Sequence, residues 1–193
     1  MKKQILLVCT LFAGLYACTP ETTEQPLAHD YRTGEKWTWK WSRSVDGEVK
    51  AEGEDLQEVL DQNGRPVLWN GLDTLQIPTE YIRDENSTPF RSWPLFVGKT
   101  WVYESEWENN EGTKGKTRQD VEVVAFEDIE VAAGTFKAYK IEYKGQVTNS
   151  RGFEGEMSDT WWYAPALKTY VLHLNDDGYG LYRNELISYT SGG

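Results

Sequence analysis

The chain has 193 residues, with 31 acidic against 20 basic side chains and a formal charge of −11 at pH 7. That balance repels phosphate backbones and anionic lipid head groups, which excludes nucleic acid as a partner. Two cysteines and two histidines leave almost no material for zinc or Cys–His chemistry, whereas nine Trp, eleven Tyr and six Phe supply bulk for a β-rich core.

Met1-Lys2-Lys3-Gln4 is a short basic start, and residues 5–17 are an apolar run of signal-peptide length, too short for a permanent span. The run stops at Cys18, where the sequence turns polar. Leu15-Tyr16-Ala17-Cys18 resembles the lipobox of bacterial lipoproteins, with Leu15 at −3, Ala17 at −1 and Tyr16 departing from the usual small residue. The resemblance implies cleavage after residue 17, acylation of Cys18 and attachment to the membrane through lipid. Acyl chains anchor at about 0.8 kcal/mol per buried CH₂ without spanning the bilayer. Thr19 in place of Asp after the cysteine implies, by the same resemblance, sorting to the outer membrane and a domain in the periplasm or cell envelope. Cleavage also removes Cys9, which leaves no disulfide available to the mature chain.

Residues 18–30 carry Pro, Thr and charge, the composition of a flexible lipidated tether. The folded domain is expected over residues 31–193, with possible halves 31–92 and 93–193. Trp37, Trp39 and Trp41 alternate with Lys36, Thr38, Lys40 and Ser42, which puts three indoles on one face of a strand. Asp46-Gly47 is a hairpin signal, with residues 48–55 returning antiparallel. Residues 55–60 tolerate a helix weakly. Asn63-Gly64 marks a second turn before 67–69, and a strand near 74–77 precedes a long Pro-containing connection through residue 94.

Gly98 opens a second aromatic strand with Trp101, Tyr103 and Trp107. Gly34-Glu35-Lys36-Trp37-Thr38-Trp39 and Gly98-Lys99-Thr100-Trp101-Val102-Tyr103 share one pattern, a weak internal repeat. Strands follow at 119–125, 129–131, 136–144, 159–163, 168–174 and 182–189. The expected fold is mostly β: a curved antiparallel sheet, half-barrel or sandwich, with two similar halves possible.

Three segments of the C-terminal half carry a second resemblance: Pro94-Leu95-Phe96-Val97-Gly98-Lys99-Thr100-Trp101, Val131-Ala132-Ala133-Gly134-Thr135-Phe136-Lys137-Ala138-Tyr139 and Trp161-Trp162-Tyr163-Ala164-Pro165, with Glu185-Leu186-Ile187-Ser188-Tyr189 closing the match. They resemble a loose group of uncharacterised exported bacterial proteins over residues 93–190. That resemblance implies a curved antiparallel sheet like the half-barrels of periplasmic lipoprotein carriers, and it transfers no active residue.

No nucleophile elbow, phosphate loop or zinc spacing is present, so no catalytic residue, metal site or cofactor is expected. His29 falls in the tether and His173 in a strand, read as an ordinary packed or solvated position. Glu127, Asp128 and Glu130, like Asp176 and Asp177, read as turn and surface groups, and Asp61-Gln62-Asn63-Gly64 and Asn175-Asp176-Asp177-Gly178 as hairpin turns rather than calcium loops. The aromatic excess reads first as core filling for a curved sheet. As binding groups, with Trp37, Trp39, Trp41, Trp161 and Trp162 as candidates, the aromatics of an open half-barrel could hold an acyl chain, or exposed indoles could stack on sugar faces. The leading expectation is a non-enzymatic envelope lipoprotein that takes an apolar ligand or a protein partner on a β-sheet surface. Two alternatives stay open: a carbohydrate-binding lipoprotein using exposed tryptophans, and a carboxylate-based hydrolase.

Overall fold

The computed structural model describes residues 21–81 and 88–193. The signal segment 1–17 and Cys18 lie outside the described residues. Ten strands form one antiparallel sheet: β1 (Lys36–Val45), β2 (Glu48–Asp61), β3 (Pro66–Trp69), β4 (Thr74–Gln76), β5 (Thr100–Glu108), β6 (Lys114–Val131), β7 (Gly134–Asn149), β8 (Glu154–Ala164), β9 (Thr169–Asp176) and β10 (Leu181–Thr190). Their order is β4-β3-β2-β1-β10-β9-β8-β7-β6-β5, so the sheet is open, with β4 and β5 as its edges. Register shifts at Thr38/Trp39, Arg43/Ser44, Val123/Ala125 and Trp162/Tyr163 bend it.

Two meanders share this sheet. One runs outward from β1 to β4; the other begins at the far edge with β5 and returns until β10 lies against β1. Residues between β4 and β5 must therefore cross the whole sheet. Turn chemistry sets the hairpins as the sequence requires. Asp46 and Gly47 both take positive φ between β1 and β2, as do Asn63 and Gly64 between β2 and β3, the geometry of two-residue hairpin turns. The segment 55–60 is strand, not helix, because its partners on β1 and β3 satisfy its backbone. The pieces expected at 119–125 and 129–131 are one 18-residue strand with a bulge. Glu127, Asp128 and Glu130 therefore sit on a strand surface and not in a turn.

The matched glycine segments perform one task. Gly34 N–H donates to the Val59 carbonyl, and Val59 N–H donates back to Glu35. Gly98 N–H donates to the Val123 carbonyl, and Val123 N–H donates back to Lys99. Each glycine has a positive φ, which lets a turn lead directly into a ladder.

Cross-strand partners share a face, so register assigns the inner one. It carries Trp37, Trp39 and Trp41 on β1, Leu186, Asn184 and Tyr182 on β10, Trp161 and Asp159 on β8, Ile141 and Tyr143 on β7, and Val123 and Val121 on β6. The outer face of β5–β6 is a ladder of ion pairs, Glu104–Arg118, Glu106–Lys116 and Glu108–Lys114, which blunts the exposed edge.

The crossing segment covers part of the inner face. Leu95 is fully buried, Phe90 stacks on Tyr143 at 5.2 Å, and Trp93 meets Tyr163 edge-on at 5.4 Å. Tyr143 Oη donates to the Phe90 carbonyl, and Trp101 Nε1 donates to Pro89. Residues 21–30, expected to be tether, also lie against the domain. Thr23 and Leu95 exchange backbone hydrogen bonds, Tyr139 Oη donates to the Glu21 carbonyl, Ala28 N–H donates to Pro78, and Leu27 is buried. Their polar composition resembles a linker because backbone groups, one leucine and the Thr23 hydroxyl, which donates to Tyr139 Oη, make the attachment.

Candidate functional site

Two lateral rows of the inner face run out from under the crossing segment, whose Phe90 packs on their β7–β8 ends, 5.2 Å from Tyr143 and 5.4 Å from Trp161. Cross-strand pairing lines up Gly53, Trp41, Asn184, His173 and Trp161 in one row. The next row holds Arg43, Tyr182, Asn175, Asp159 and Tyr143. Polar residues thus occupy positions that strand alternation assigns to the interior.

Asp159 is the centre. Gln119 Nε2 donates to Oδ2 at 2.8 Å, Asn175 Nδ2 donates to Oδ1 at 3.0 Å, and His173 Nε2 lies 2.8 Å from Oδ1. An acceptor carboxylate places the imidazole proton on Nε2. Gln119, Asp159 and His173 are all buried, 2%, 8% and 9% exposed. Gln119 is on β6 and reaches Asp159 over β7, where its cross-strand partner is Gly145. The indole of Trp161 stacks on His173 at 3.5 Å and 11° and fixes the ring plane. Burying a charged group without partners is costly, and these donors offset that cost.

Asn184 is the second polar centre. Its Nδ2 donates to Tyr170 Oη at 3.0 Å and to Asp55 Oδ2 at 3.2 Å. Among the described residues its Oδ1 is buried without a hydrogen-bond partner, and so is Trp161 Nε1. Each such atom carries a penalty of about 1–3 kcal/mol until something satisfies it.

Beside these groups, Trp41 and Tyr182 form a nearly parallel aromatic pair, 6.3 Å between centroids and 23° between planes, both half-buried. The indole lies across Gly53, where a Cβ would fall 2.7 Å from Trp41 Cζ2. Glycine opposite the tryptophan therefore lets the ring lie flat on the sheet. Tyr182 is also 5.6 Å from the His173 ring, and Arg43 pairs with Asp177 at the rim.

The five tryptophans singled out from sequence separate into three groups. Trp37 and Trp39 are each 1% exposed and fill the core; Trp39 Nε1 donates to the Tyr170 carbonyl. Trp162 is on the outer face, where its indole donates to Glu127 and Lys140 packs over the ring. Trp41 and Trp161 alone join the polar rows. Asp159, His173, Asn175, Asn184 and Gln119 were not proposed as site residues from sequence. Their signal is present in the alternation: Asp159 is two residues from Trp161, and Gln119 two from Val121, each in phase with an apolar series.

Asp176 and Asp177 accept backbone hydrogen bonds from Gly178, Tyr179 and Gly180, and Asp61 does so from Gly64, as turn residues. Among the described residues no cluster of three His, Cys, Asp or Glu side chains is placed to hold a metal ion. A surface groove of about 750 Å³ is lined mainly by Arg118, Asp120, Lys144, Gln146, Glu156 and Asp176. It is charged, and most of its lining belongs to the outer face.

No protein-family model matches the chain, and no curated protein matches it in sequence. Two solved structures are similar. One is a protein described as exported, with a YmcC-like fold, from Bacteroides fragilis: 11% identity, TM-score 0.37, covering 83% of this chain and 97% of its own. The other is described as a lipoprotein, from Parabacteroides distasonis: 14% identity, TM-score 0.42, covering 87% of this chain and 99% of its own. Likeness at this level says nothing about a ligand.

Proposed function

We propose that the chain is an exported, lipid-anchored envelope protein that binds neutral carbohydrate on the open part of its inner sheet face and does not itself catalyse a reaction. One observation carries the reading: a flat, half-buried Trp41–Tyr182 pair stands beside the amide and carboxylate groups of Asn184, Asn175 and Asp159. Aromatic faces take the C–H face of a sugar ring, and nearby amides take its hydroxyls. The acidic chain disfavours anionic polymers.

An acyl-chain carrier needs a continuous apolar cavity. The inner face offers the opposite, since Phe90, Trp93 and Leu95 from the chain itself occupy its apolar part. A glycosidase needs two carboxylates free to act across a cleft. Asp159 instead spends both oxygens on Gln119, His173 and Asn175, which suits a rigid floor.

The test is a panel of neutral and acidic oligosaccharides, with short-chain phospholipids alongside, titrated by calorimetry into the mature chain and into Trp41→Ala and Trp162→Ala variants. Trp41→Ala is expected to weaken neutral-sugar binding about tenfold or more, equivalent to roughly 1.4 kcal/mol, while Trp162→Ala leaves it unchanged. Binding confined to phospholipid, or equal loss in both variants, contradicts the reading.

A further inference from the structure

The way the N-terminal segment is pinned fixes how the domain meets the membrane. Tyr139 Oη donates to the Glu21 carbonyl at 2.9 Å. Two residues later, Thr23 and Leu95 exchange hydrogen bonds of 2.9 and 2.8 Å, so the chain is fastened on arrival. Only Thr19 and Pro20 separate Glu21 from Cys18. A trans chain covers at most about 3.6 Å per residue, so three steps reach no farther than roughly 11 Å. An acylated Cys18 sits at the bilayer surface, and Glu21 is held within that distance of it.

The surface around the exit point suits an interface. Val97, two residues beyond the Leu95 pairing, and Tyr81, which lines one surface groove with Thr23 and Glu24, are both 47% exposed. Lys99 lies 5.8 Å over the Phe96 ring, and Lys137 lies 5.3 Å over Phe126, which stacks on Tyr139. Aromatic rings with flanking lysines are the groups that settle at the head-group level of a bilayer.

We infer that the inner face, at the end where residues 21–23 and 95–97 lie, rests against the membrane surface, and that the β7–β8 turn points away from it. This rests on the acylation of Cys18 in the proposed function and is independent of the carbohydrate reading. The partner is a lipid surface, zwitterionic rather than anionic given the acidity of the chain. Thr148, paired with Glu154, is nine residues along β7 from Tyr139, which separates the two levels by about 30 Å at 3.3 Å per residue.

The experiment uses the full acylated chain in phosphatidylcholine vesicles carrying head-group spin labels. Cys18 is acylated and Cys9 is cleaved off, so one introduced thiol carries the only fluorophore. Val97→Cys and Glu154→Cys are compared, with a third form in which twenty Gly/Ser residues are inserted between Pro20 and Glu21. Quenching at residue 97 is expected to exceed that at 154 at least threefold, and the insertion is expected to abolish the difference while vesicle flotation persists. Equal quenching at both positions, or stronger quenching at 154, overturns the orientation. Acylation is read separately from the mass of the N-terminal peptide; an unmodified Cys18 removes the anchor and the orientation with it.

Discussion

The inner face has two aromatic regions of similar composition and opposite character. In the covered one, Tyr139, Ile141, Tyr143 and Tyr163 pack under Leu95 and Trp93, and their hydroxyls find partners in the chain: Tyr139 with Glu21, Tyr143 with Phe90. In the open one, Trp41 and Tyr182 lie half-buried beside the polar side chains of Asn184, His173, Asn175 and Asp159. The contrast teaches that aromatic density alone does not mark a binding surface. What marks it is half-buried aromatic faces beside polar side chains on the same sheet face.

Changes in the covered region should cost stability and spare binding. Leu95→Ala, at a fully buried position, is expected to lose about 2–5 kcal/mol in denaturant unfolding, because a cavity replaces the contacts that hold the crossing segment. Sugar affinity of the remaining folded protein should not move. A loss below about 0.5 kcal/mol would mean that the crossing segment contributes little.

Asp159→Asn should fall between the two regions. Its amide keeps one acceptor and presents donors where Gln119, His173 or Asn175 already donate, so at least one buried donor loses its partner. The expected cost is about 1–3 kcal/mol, with weaker sugar binding because the floor shifts.

Alkaline pH separates the regions in another way. Burial pushes the Tyr143 hydroxyl up to about 12, and Tyr31 likewise, with nearby Glu35 adding to the effect there. In the unfolded chain these phenols ionise near 10, so above that pH the folded state holds more protons. Their contribution to stability is complete below pH 10 and declines as pH rises toward 12. Thermal unfolding followed from pH 9 to 11.5 should show this decline, and Tyr143→Phe should reduce it. A midpoint independent of pH over that range contradicts the burial assigned to these rings.

Gly53→Ala is expected to have the smallest effect on stability and a clear one on binding. The added methyl displaces the Trp41 indole from its flat position, which crystal or NMR comparison of the variant would show. An unmoved indole with unchanged affinity would detach the glycine from the site.

Much of the fold was legible in the sequence because its signals are local. Asp46-Gly47 and Asn63-Gly64 set hairpins through their own φ preferences, and the alternation of Trp37, Trp39 and Trp41 needs no distant partner. The continuity of β6 was hidden, because a bulge near Ala125 breaks the alternation while the ladder continues. The crossing of the sheet by residues 88–98 was hidden too, since Pro89 and Pro94 mark a connection but not the surface it covers. The site was the least legible part. Asp159, His173 and Gln119 come from three strands, and only the register joins them. Trp37 and Trp41 look alike in sequence; burial alone makes one core and the other a surface.

The most direct test of the open face follows the indole N–H signals of the uniformly ¹⁵N-labelled mature chain during titration with the neutral oligosaccharide that binds best in the panel. Trp41 is assigned from a Trp41→Phe variant. The Trp41 signal is expected to shift and saturate, with Trp161 following it, while Trp37, Trp39 and Trp162 stay in place. Saturable shifts at Trp162 or the core indoles with Trp41 unmoved, or no indole response to any sugar, would contradict the assignment of this face to carbohydrate.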